Sequence, residues 1–381
     1  MKKTFALLLC VFTLLYMAAC SAPKESTPTP KNTQAQPDAV PITLYNGTAD
    51  ASVRDGEDLM VEASYPVFAL SEADALAHPA LDATLKKRAE EMKTALTKEA
   101  QSYITDVEEY RKYDYVLPTA YFYTDHAIRV RRADSAVVSL LSFHTAYTGG
   151  AHGNYGFSGE TYDTQTGKLL TLDDVITDTS RLPALIEEKL KADYADVEFF
   201  REPDIEQHHK EYTPSWTLDA NGITFYYGPY AFASYADGAQ AVTLTYAEFP
   251  DLFYDKYKTA AKNYGIQLHK MCPFLHDIDG DGKAERLRYY ITNVDAADTE
   301  LYIFFGDEQY KEAISAQDAE ATFIFKDGKP FIYVTLLLTD GTQKCVSYSL
   351  DNGIQKQGEV TTSEDTYTVD GNTLQRALTH P

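Results

Sequence analysis

The sequence contains little tryptophan, little cysteine and little positive charge. Its 381 residues include 1 Trp, 4 Cys and 34 Lys+Arg against 57 Asp+Glu, so its formal net charge is −23. Phosphate binding requires a basic surface, and this charge balance therefore excludes nucleic acid as a partner. Its 44% of hydrophobic and 24% of charged residues are ordinary for a globular protein. They exclude a polytopic membrane protein, a collagen-like chain and a largely disordered chain.

A long apolar run stands at the N-terminus. Two lysines precede the run, which extends from Phe5 to Ala19 and is followed by Cys20. A run of about 15 residues is short for a membrane span and typical of a signal-peptide core. The small residues before Cys20 resemble a bacterial lipoprotein processing site, although Met17 stands where that pattern usually has Leu. The resemblance implies a signal peptide over 1–19 and a lipid on Cys20; an ordinary cleaved signal peptide is the alternative.

Residues 20–45 have the composition of a tether. Five prolines occur between Ser21 and Pro41, mixed with Ser, Thr, Gln and Lys and with no aromatic residue. Such a stretch cannot bury a core, and we expect it to be extended and solvated. A lipid and a tether together predict a protein anchored on the extracellular face of a bacterial cell membrane. This location excludes cytoplasmic roles.

Two cysteines remain once the signal peptide is removed and Cys20 is acylated. In an oxidising exterior, Cys272 and Cys345 could form a disulfide that closes a loop of about 73 residues. Two separate buried thiols are the alternative. The sequence contains no Cys-x-x-Cys pair and no Cys/His spacing typical of zinc.

The periodicity of apolar residues predicts an α+β fold with antiparallel sheets and packed helices. Apolar residues at helical spacing predict a long amphipathic helix from Ala80 to Tyr110. Segments rich in Tyr, Phe, Val and Thr predict strands over 120–130 and 135–147, and Asn221-Gly222 is a hairpin signal. The strands occur in clusters rather than in strict alternation with helices, which favours antiparallel pairing. Short strands separated by turns then predict a small all-β module over 266–381.

Two motifs in the middle of the chain carry a family resemblance. Gly149–Gly153 reads GGAHG, and the segment that starts at Asp163 has the pattern D-x-x-T-G-K-x-L-x-L. These motifs resemble the extracellular domain of the RsiV-type anti-sigma factors, which also follows the N-terminal domain of PdaC-type peptidoglycan deacetylases. The resemblance covers residues 52–258. It implies a PdaC-like domain over 46–146 and an RsiV-like domain over 147–260.

The resemblance implies binding rather than catalysis. The anti-sigma member senses lysozyme through this domain, and the deacetylases carry their catalysis in a separate domain with a paired-Asp motif and a His-x-x-x-His metal site. Neither motif is present in this sequence. Asp173-Asp174 lacks the Gly-Pro that should follow, and His208-His209 lacks a third ligand at usable spacing. We therefore expect a non-catalytic surface protein that binds an extracellular protein such as lysozyme.

The expected ligand-binding residues lie in two turns. The loop from Pro229 to Gly238 carries three aromatic residues between two predicted strands, and loops on rigid sheets often mediate recognition. His152 lies in the GGAHG turn, where the glycines are needed for positive φ. Core packing of the aromatic side chains and backbone bonding of His152 are the alternatives. The expected ligand-binding set is Pro229, Tyr230, Phe232, Tyr235 and His152.

Two further functions stay open on the sequence alone. Tyrosine can stack on a sugar face as readily as it fills a protein cleft, so peptidoglycan or another glycan is the alternative ligand. A cell-wall hydrolase would need a nucleophile and a base, for which His144, His152 and Asp163 are scattered candidates. The sequence has no G-x-S-x-G motif and no catalytic metal trio, which makes hydrolysis the weakest of the three hypotheses.

An acidic loop in the last module predicts a calcium site. Carboxylates stand at positions 1, 3, 5 and 9 of the segment that begins at Asp277, with glycine at position 6. Hard oxygen ligands around a glycine turn suit Ca²⁺. Position 12 is Arg288 rather than Glu, so the loop resembles those that open hairpins in FG-GAP/VCBS-type repeats and not an EF-hand. A solvated acidic turn is the alternative. The expected ligands of a structural Ca²⁺ are Asp277, Asp279, Asp281, Glu285 and the carbonyl of Lys283.

Overall fold

The computed structural model describes residues 38–112, 122–200, 202–292 and 299–362. The predicted signal peptide, the lipid attachment at Cys20 and most of the tether lie outside these residues. Among the described residues, no helix is both long enough and apolar enough to cross a membrane. Folded structure begins before residue 46, the expected start of the PdaC-like domain. Pro41 pairs with Asp134, and the side chains of Ile42 and Leu44 are buried.

A six-stranded sheet with helices on it forms the first part of the fold. Its strands are β1 (Leu44–Asp50), β2 (Val53–Asp55), β3 (Asp58–Leu70), β4 (Phe122–Ala133), β5 (Val137–Tyr147) and β6 (Asn154–Asp163). Its helices are α1 (Glu72–Ala77), α2 (Pro79–Ser102) and α3 (Ile104–Lys112). The strand order is β1-β3-β4-β5-β6, and β2 pairs with β3. The expected domain boundary at residue 147 falls at the end of β5, and β6 beyond it completes the same sheet.

The helices pack on this sheet through an apolar face. Five side chains of α2 are buried at helical spacing, namely Leu81, Leu85, Met92, Leu96 and Ala100. The helix predicted to run to Tyr110 is instead broken after Ser102. The Ser102 hydroxyl donates to the Glu99 carbonyl at 2.6 Å, and this type of bond bends a helix.

One strand pair in the six-stranded sheet is parallel. β3 and β4 run parallel over Val61–Ser64 and Phe122–Asp125, whereas the other pairs of this sheet are antiparallel. Parallel neighbours need a crossover connection, and α1, α2 and α3 lie between these two strands in the chain. The α+β prediction is confirmed. Among the described strands of this sheet, β3 and β4 form the one pair that is not antiparallel.

A three-stranded antiparallel sheet and several helices form the second part of the fold. Its strands are β7 (Ser215–Leu218), β8 (Gly222–Tyr227) and β9 (Gln240–Thr245). Its helices are α4 (Leu172–Val175), α5 (Leu182–Asp193), α6 (Ile205–Glu211) and α7 (Asp255–Lys258), with 3₁₀ turns at Thr179–Arg181 and Tyr235–Asp237. The predicted Asn-Gly hairpin joins β7 to β8. Asp219 Oδ1 stabilises its turn by accepting hydrogen bonds from the backbone NH groups of Asn221 and Gly222.

Two antiparallel sheets form an all-β module, as the sequence predicts. Its strands are β10 (Tyr264–Gln267), β11 (Phe274–His276), β12 (Glu285–Thr292), β13 (Thr299–Phe305), β14 (Glu308–Ile314), β15 (Ala316–Lys326), β16 (Lys329–Leu338), β17 (Gln343–Ser349) and β18 (Gln355–Thr362). One sheet has the order β11-β12-β13-β14 and the other the order β10-β15-β16-β17-β18. Side chains from both sheets share one core, which includes Leu287, Leu301, Phe323, Ile332 and Val346.

The two cysteines of the module do not form the disulfide that the sequence left open. Cys272 and Cys345 both carry free thiols. Cys272 is buried beside Tyr226, while Cys345 lies in β17 opposite Thr335 of β16. Burial raises the pKa of the Cys272 thiol to about 12 and also raises that of Cys345. The alternative of two separate thiols therefore holds.

A buried charged cluster joins the three parts of the fold. A β-bulge in β4 lies at Arg131, and both Arg131 and Arg132 are buried. Arg132 donates to Asp134 Oδ2 at 2.7 Å and to the Asp219 carbonyl at 3.2 Å. Burial opposes ionisation of Asp219, but His276, 3.3 Å away, and Arg131 hold its pKa below the ordinary value. Since Asp219 lies in the β7–β8 hairpin and His276 in β11, this cluster helps to make the described residues one compact unit.

Candidate functional site

The turn between β5 and β6 brings His152 to the surface. Gly149 and Gly150 have φ angles of 96° and 106°, which favour glycine. A Cβ atom at Gly149 would collide with the Tyr110 ring, and the Tyr147 hydroxyl donates to the Gly150 carbonyl at 3.1 Å. Backbone geometry therefore requires glycine in this turn, as the sequence predicts.

His152 uses both of its ring nitrogens. Nδ1 lies 2.8 Å from the Gly153 carbonyl oxygen, and Nε2 lies 3.2 Å from the Tyr230 hydroxyl. Because a carbonyl only accepts hydrogen bonds, Nδ1 carries the proton. Nε2 forms the second hydrogen bond of the ring, with the Tyr230 hydroxyl. His152 thus makes the backbone contact expected of a structural residue and also orients an exposed tyrosine.

Tyr230 occupies a strained backbone position. Its φ of 67° lies in the left-handed region, which costs a non-glycine residue about 1–3 kcal/mol. Its side chain is 53% exposed, so burial of the ring does not offset this strain. Strain of this kind clusters at ligand-binding sites, where the surrounding structure maintains it. The position of Tyr230 therefore points to a role at the surface.

Four side chains form a continuous patch, which we call the aromatic surface: His152, Tyr155, Tyr230 and Tyr235. The His152 ring stacks on Tyr235 with 3.9 Å between centroids, and Tyr155 meets Tyr235 edge-on at 5.9 Å. The Tyr155 hydroxyl accepts a hydrogen bond from the Ala239 NH at 3.1 Å, which fixes the loop after Tyr235 to β6. Sequence reasoning missed Tyr155. Its position two residues after the GGAHG motif was the available signal.

The aromatic surface rests on a packed aromatic layer. Tyr155 contacts Phe143 with 6.1 Å between centroids, and Phe143 stacks on His269 of the all-β module at 3.7 Å. Burial, together with smaller contributions from the charges of Arg129 and Lys270, lowers the pKa of His269 to about 2. The layer is therefore neutral near pH 7 and well packed. Such support limits the conformational entropy that exposed rings lose on binding.

Two other residues of the expected ligand set occupy different positions. Phe232 is only 1% exposed and packs against Tyr227 and His208, with 5.0 Å between centroids in each case. Its side chain is therefore not available to a ligand, and the alternative of core packing holds for it. Pro229 is half-buried and precedes Tyr230.

The residues considered for hydrolysis have separate partners. His144 in β5 stacks on His126 with 5.8 Å between centroids. Asp163 at the end of β6 forms an ion pair with Lys256, whereas His152 belongs to the aromatic surface. These contacts assemble no nucleophile–base pair from His144, His152 and Asp163.

The acidic loop between β11 and β12 brings its carboxylates together. Gly280 and Gly282 have φ angles of 82° and 96° and form the turn. The Gly282 NH donates to Asp277 Oδ2 at 3.1 Å, and the Lys283 NH donates to Asp281 Oδ1 at 2.8 Å. Four side chains offer carboxylate oxygens within 4.8 Å of one another, namely Asp277, Asp279, Asp281 and Glu285.

The chemistry of this loop fits a hard cation. Asp277 Oδ1 is shielded from solvent and has no hydrogen-bond partner among the described residues. Burial raises the pKa of Glu285, and the nearby carboxylates of Asp279 and Asp277 contribute to the rise. A coordinated cation would give Asp277 Oδ1 a partner and offset the repulsion among the carboxylates.

The acidic loop is attached to the second part of the fold. Asn221 Nδ2 donates to the Asp277 carbonyl at 2.7 Å, and the Thr245 hydroxyl donates to the Gly282 carbonyl at 2.6 Å. Asn221 lies in the β7–β8 hairpin and Thr245 ends β9. A cation in the loop would therefore stabilise the contact between the all-β module and the three-stranded sheet.

Two families match segments of the chain. Residues 53–155 match the family described as deacetylase PdaC, and residues 173–247 match the family described as a protein of unknown function, DUF3298. The chain therefore has a segment similar to the PdaC family followed by a segment similar to the DUF3298 family. Proteins of both families are extracellular or surface-associated.

Two solved structures of DUF3298 proteins are similar to the chain. For the protein from Bacteroides fragilis the identity is 17% and the TM-score 0.40, and the match covers 58% of this chain and 96% of that chain. For the protein from Pseudomonas aeruginosa the identity is 16% and the TM-score 0.39, with 58% and 98% covered. No curated protein matches the chain.

Proposed function

We propose that this protein is a non-catalytic cell-surface protein that binds an extracellular protein of the lysozyme type through the aromatic surface. One observation carries the proposal: Tyr230 is exposed, is held at positive φ and is hydrogen-bonded to His152. Tyrosine is enriched among the residues that dominate binding energy at protein interfaces. The adjoining Tyr235 ring adds a second contact for the same partner.

Charge complementarity supports a basic partner. Between Tyr147 and Lys258 the chain has 19 acidic and 8 basic residues, within a protein of net charge −23. Lysozyme is strongly basic, so opposite charge would accelerate encounter. Added salt would then slow association. The dissociation rate would still depend on the tyrosine rings that the partner covers in the complex.

The proposal is tested by measuring how fast lysozyme lyses a suspension of bacterial cell walls. An equimolar amount of this protein should slow lysis if its rings occupy the lysozyme cleft. The Tyr230→Ala variant should slow lysis much less. Tyr254→Ala is the control: it removes a tyrosine that is 46% exposed and lies outside the aromatic surface, and it should act like the wild type. Unchanged lysis with the wild-type protein, together with no complex in gel filtration, would contradict the proposal.

The proposal includes a lipid anchor at Cys20 and a structural Ca²⁺ in the acidic loop. The sequence around Cys20 supports the anchor, and the clustered carboxylates of Asp277, Asp279, Asp281 and Glu285 support the ion. A Cys20→Ala variant should move the protein from the membrane fraction to the medium. Retention of that variant in the membrane fraction would rule out Cys20 as the attachment point.

A further inference from the structure

A second group of aromatic side chains lies on the four-stranded sheet of the all-β module. Tyr290 of β12 pairs directly with Tyr302 of β13, and Phe304 follows Tyr302 by two residues. Successive side chains of a strand point to opposite faces, so these three side chains share one face. Their sequence neighbours Tyr289, Leu301 and Ile303 are buried in the core of the module. The three aromatic side chains therefore lie on the outer face of the sheet.

The three rings are stacked on one another. Their centroids are 5.1 Å apart for Tyr290 and Tyr302, 5.7 Å for Tyr290 and Phe304, and 6.1 Å for Tyr302 and Phe304. The ring planes differ by 9–22°, which corresponds to an offset stack. Tyr290 is 40% exposed, whereas Tyr302 and Phe304 are half-buried. We call these three residues the tyrosine stack, and Tyr290 is its most exposed ring.

Charged groups border the tyrosine stack in fixed positions. The Arg288 guanidinium lies 5.3 Å from the Phe304 ring centroid, and the Lys311 ammonium lies 5.3 Å from the Tyr302 ring centroid. Lys311 also pairs with Glu300 at 2.7 Å, and Glu300 accepts a hydrogen bond from the Tyr302 hydroxyl at 2.9 Å. Aromatic rings, N–H donors and a carboxylate acceptor are therefore held side by side on the outer face of the sheet.

We propose that the tyrosine stack binds a glycan strand. A pyranose ring has an apolar C–H face and a rim of hydroxyl groups, and an N-acetylated sugar adds an amide carbonyl oxygen to that rim. The face matches the exposed Tyr290 ring, and the rim matches the donors of Arg288 and Lys311. An exposed aromatic group with a polar rim on the outer face of a sheet is typical of an interaction site.

Other ligand classes fit this face less well. The three rings stand on paired strands at the outer face of a sheet, whereas a protein hot spot is usually seated in a pocket. The net charge of −23 disfavours a nucleic acid strand, although its bases could also stack on tyrosine. The glycan is a second ligand in addition to the proposed protein ligand, and the two sites lie on different sheets of the fold.

Co-sedimentation of the full chain with purified peptidoglycan sacculi tests this proposal. The wild-type protein should sediment with the sacculi and should still do so at about 1 M salt, where charges are screened within about 3 Å. The Tyr290→Ala variant should bind about tenfold more weakly, the loss expected for one stacked ring. Tyr290→Phe should retain binding, because it keeps the ring face.

Matched variants separate this site from the aromatic surface. Tyr230→Ala should leave sedimentation with the sacculi unchanged, and Tyr290→Ala should leave lysozyme binding unchanged. Because Tyr290 is exposed, the melting temperature of its variants should equal that of the wild type. Tyr302→Leu provides a second test of the stack. Wild-type protein that stays in solution, or a Tyr290→Ala variant that sediments like the wild type, would overturn the proposal. Loss of all binding at high salt would overturn it as well.

Discussion

The ring of His152 stacks on the ring of Tyr235 with 3.9 Å between their centroids. His152 lies within the segment that matches the PdaC family, whereas Tyr235 lies within the DUF3298 segment. The contact therefore joins the two segments, and neither of them alone carries the complete aromatic surface. Because His152 also contacts Gly153 and Tyr230, its ring cannot rotate without losing these bonds. The exposed tyrosines are thus held in place before a ligand arrives.

Replacement of Tyr230 by glycine should separate stability from binding. Glycine tolerates φ of 67°, so Tyr230→Gly should raise the free energy of unfolding by up to about 1 kcal/mol. The same change removes the exposed ring and should weaken lysozyme binding at least tenfold, about 1.4 kcal/mol. Urea unfolding and calorimetry measure the two effects.

Asp327 provides a matched control for this substitution. It is the other non-glycine residue with positive φ among the described residues, at 52°, and lies in the turn between β15 and β16. Asp327→Gly should also raise stability but should leave binding unchanged. Equal binding by wild type and Tyr230→Gly would show that the strained ring makes no contact with the ligand.

Calcium should stabilise the protein through the acidic loop. An ion that binds only the folded state raises stability with concentration, by about 2.7 kcal/mol at one hundred times its Kd. Millimolar Ca²⁺ should therefore raise the melting temperature of the wild type but not of Asp279→Asn. Asp340→Asn alters an exposed acidic turn outside the loop and should respond like the wild type. The absence of any shift in the wild type would support a merely solvated turn.

Removal of Arg132 should destabilise the fold strongly. Its guanidinium is buried and donates to Asp134, Asp219 and Thr259. Arg132→Met leaves Asp134 as an unpaired buried carboxylate, and such changes cost about 3–5 kcal/mol. Urea unfolding measures this loss.

The surface pair of Arg181 and Asp251 serves as the control for Arg132. Its two side chains are 37% and 72% exposed and 2.8 Å apart, so Arg181→Met should cost no more than about 1 kcal/mol. Equal losses for the two variants would mean that the buried cluster contributes no more than a surface pair.

Stability should decline as the pH falls below 6.5. Burial lowers the pKa of His269 to about 2, whereas an unfolded histidine has a pKa of about 6.5. Below pH 6.5 the unfolded chain binds a proton that the folded protein does not bind, so unfolding is favoured by about 1.4 kcal/mol per pH unit for this group. His269→Gln removes this titration and should show a shallower decline between pH 6.5 and 4. Identical slopes for wild type and variant in urea unfolding would contradict the prediction.

Much of the fold was predictable from local patterns. The apolar spacing of α2, the Asn-Gly hairpin and the strands of the all-β module depend on residues close in sequence, and the structure confirms them. The break after Ser102 depends on a side-chain bond to the backbone that propensity does not reveal. β6 belongs to the first sheet because it pairs with β5. The expected domain boundary at residue 147 separates these two strands and therefore misses their pairing.

The candidate site was predictable only in part. The GGAHG turn and the loop after Pro229 were visible as motifs, and the structure brings His152, Tyr230 and Tyr235 together. The sequence could not distinguish the buried Phe232 from the exposed Tyr230, because the loop has no regular period to assign faces. The strain at Tyr230 was equally hidden, since a positive φ at tyrosine has no sequence signature.

Calorimetric titration of the purified protein with lysozyme at physiological salt tests the central claim most directly. The wild type should bind, and the double variant Tyr230→Ala/Tyr235→Ala should lose that binding while keeping the wild-type melting temperature. Tight binding that survives in the double variant would place the site elsewhere. No binding by the wild type would contradict the claim that the aromatic surface receives a lysozyme-type protein.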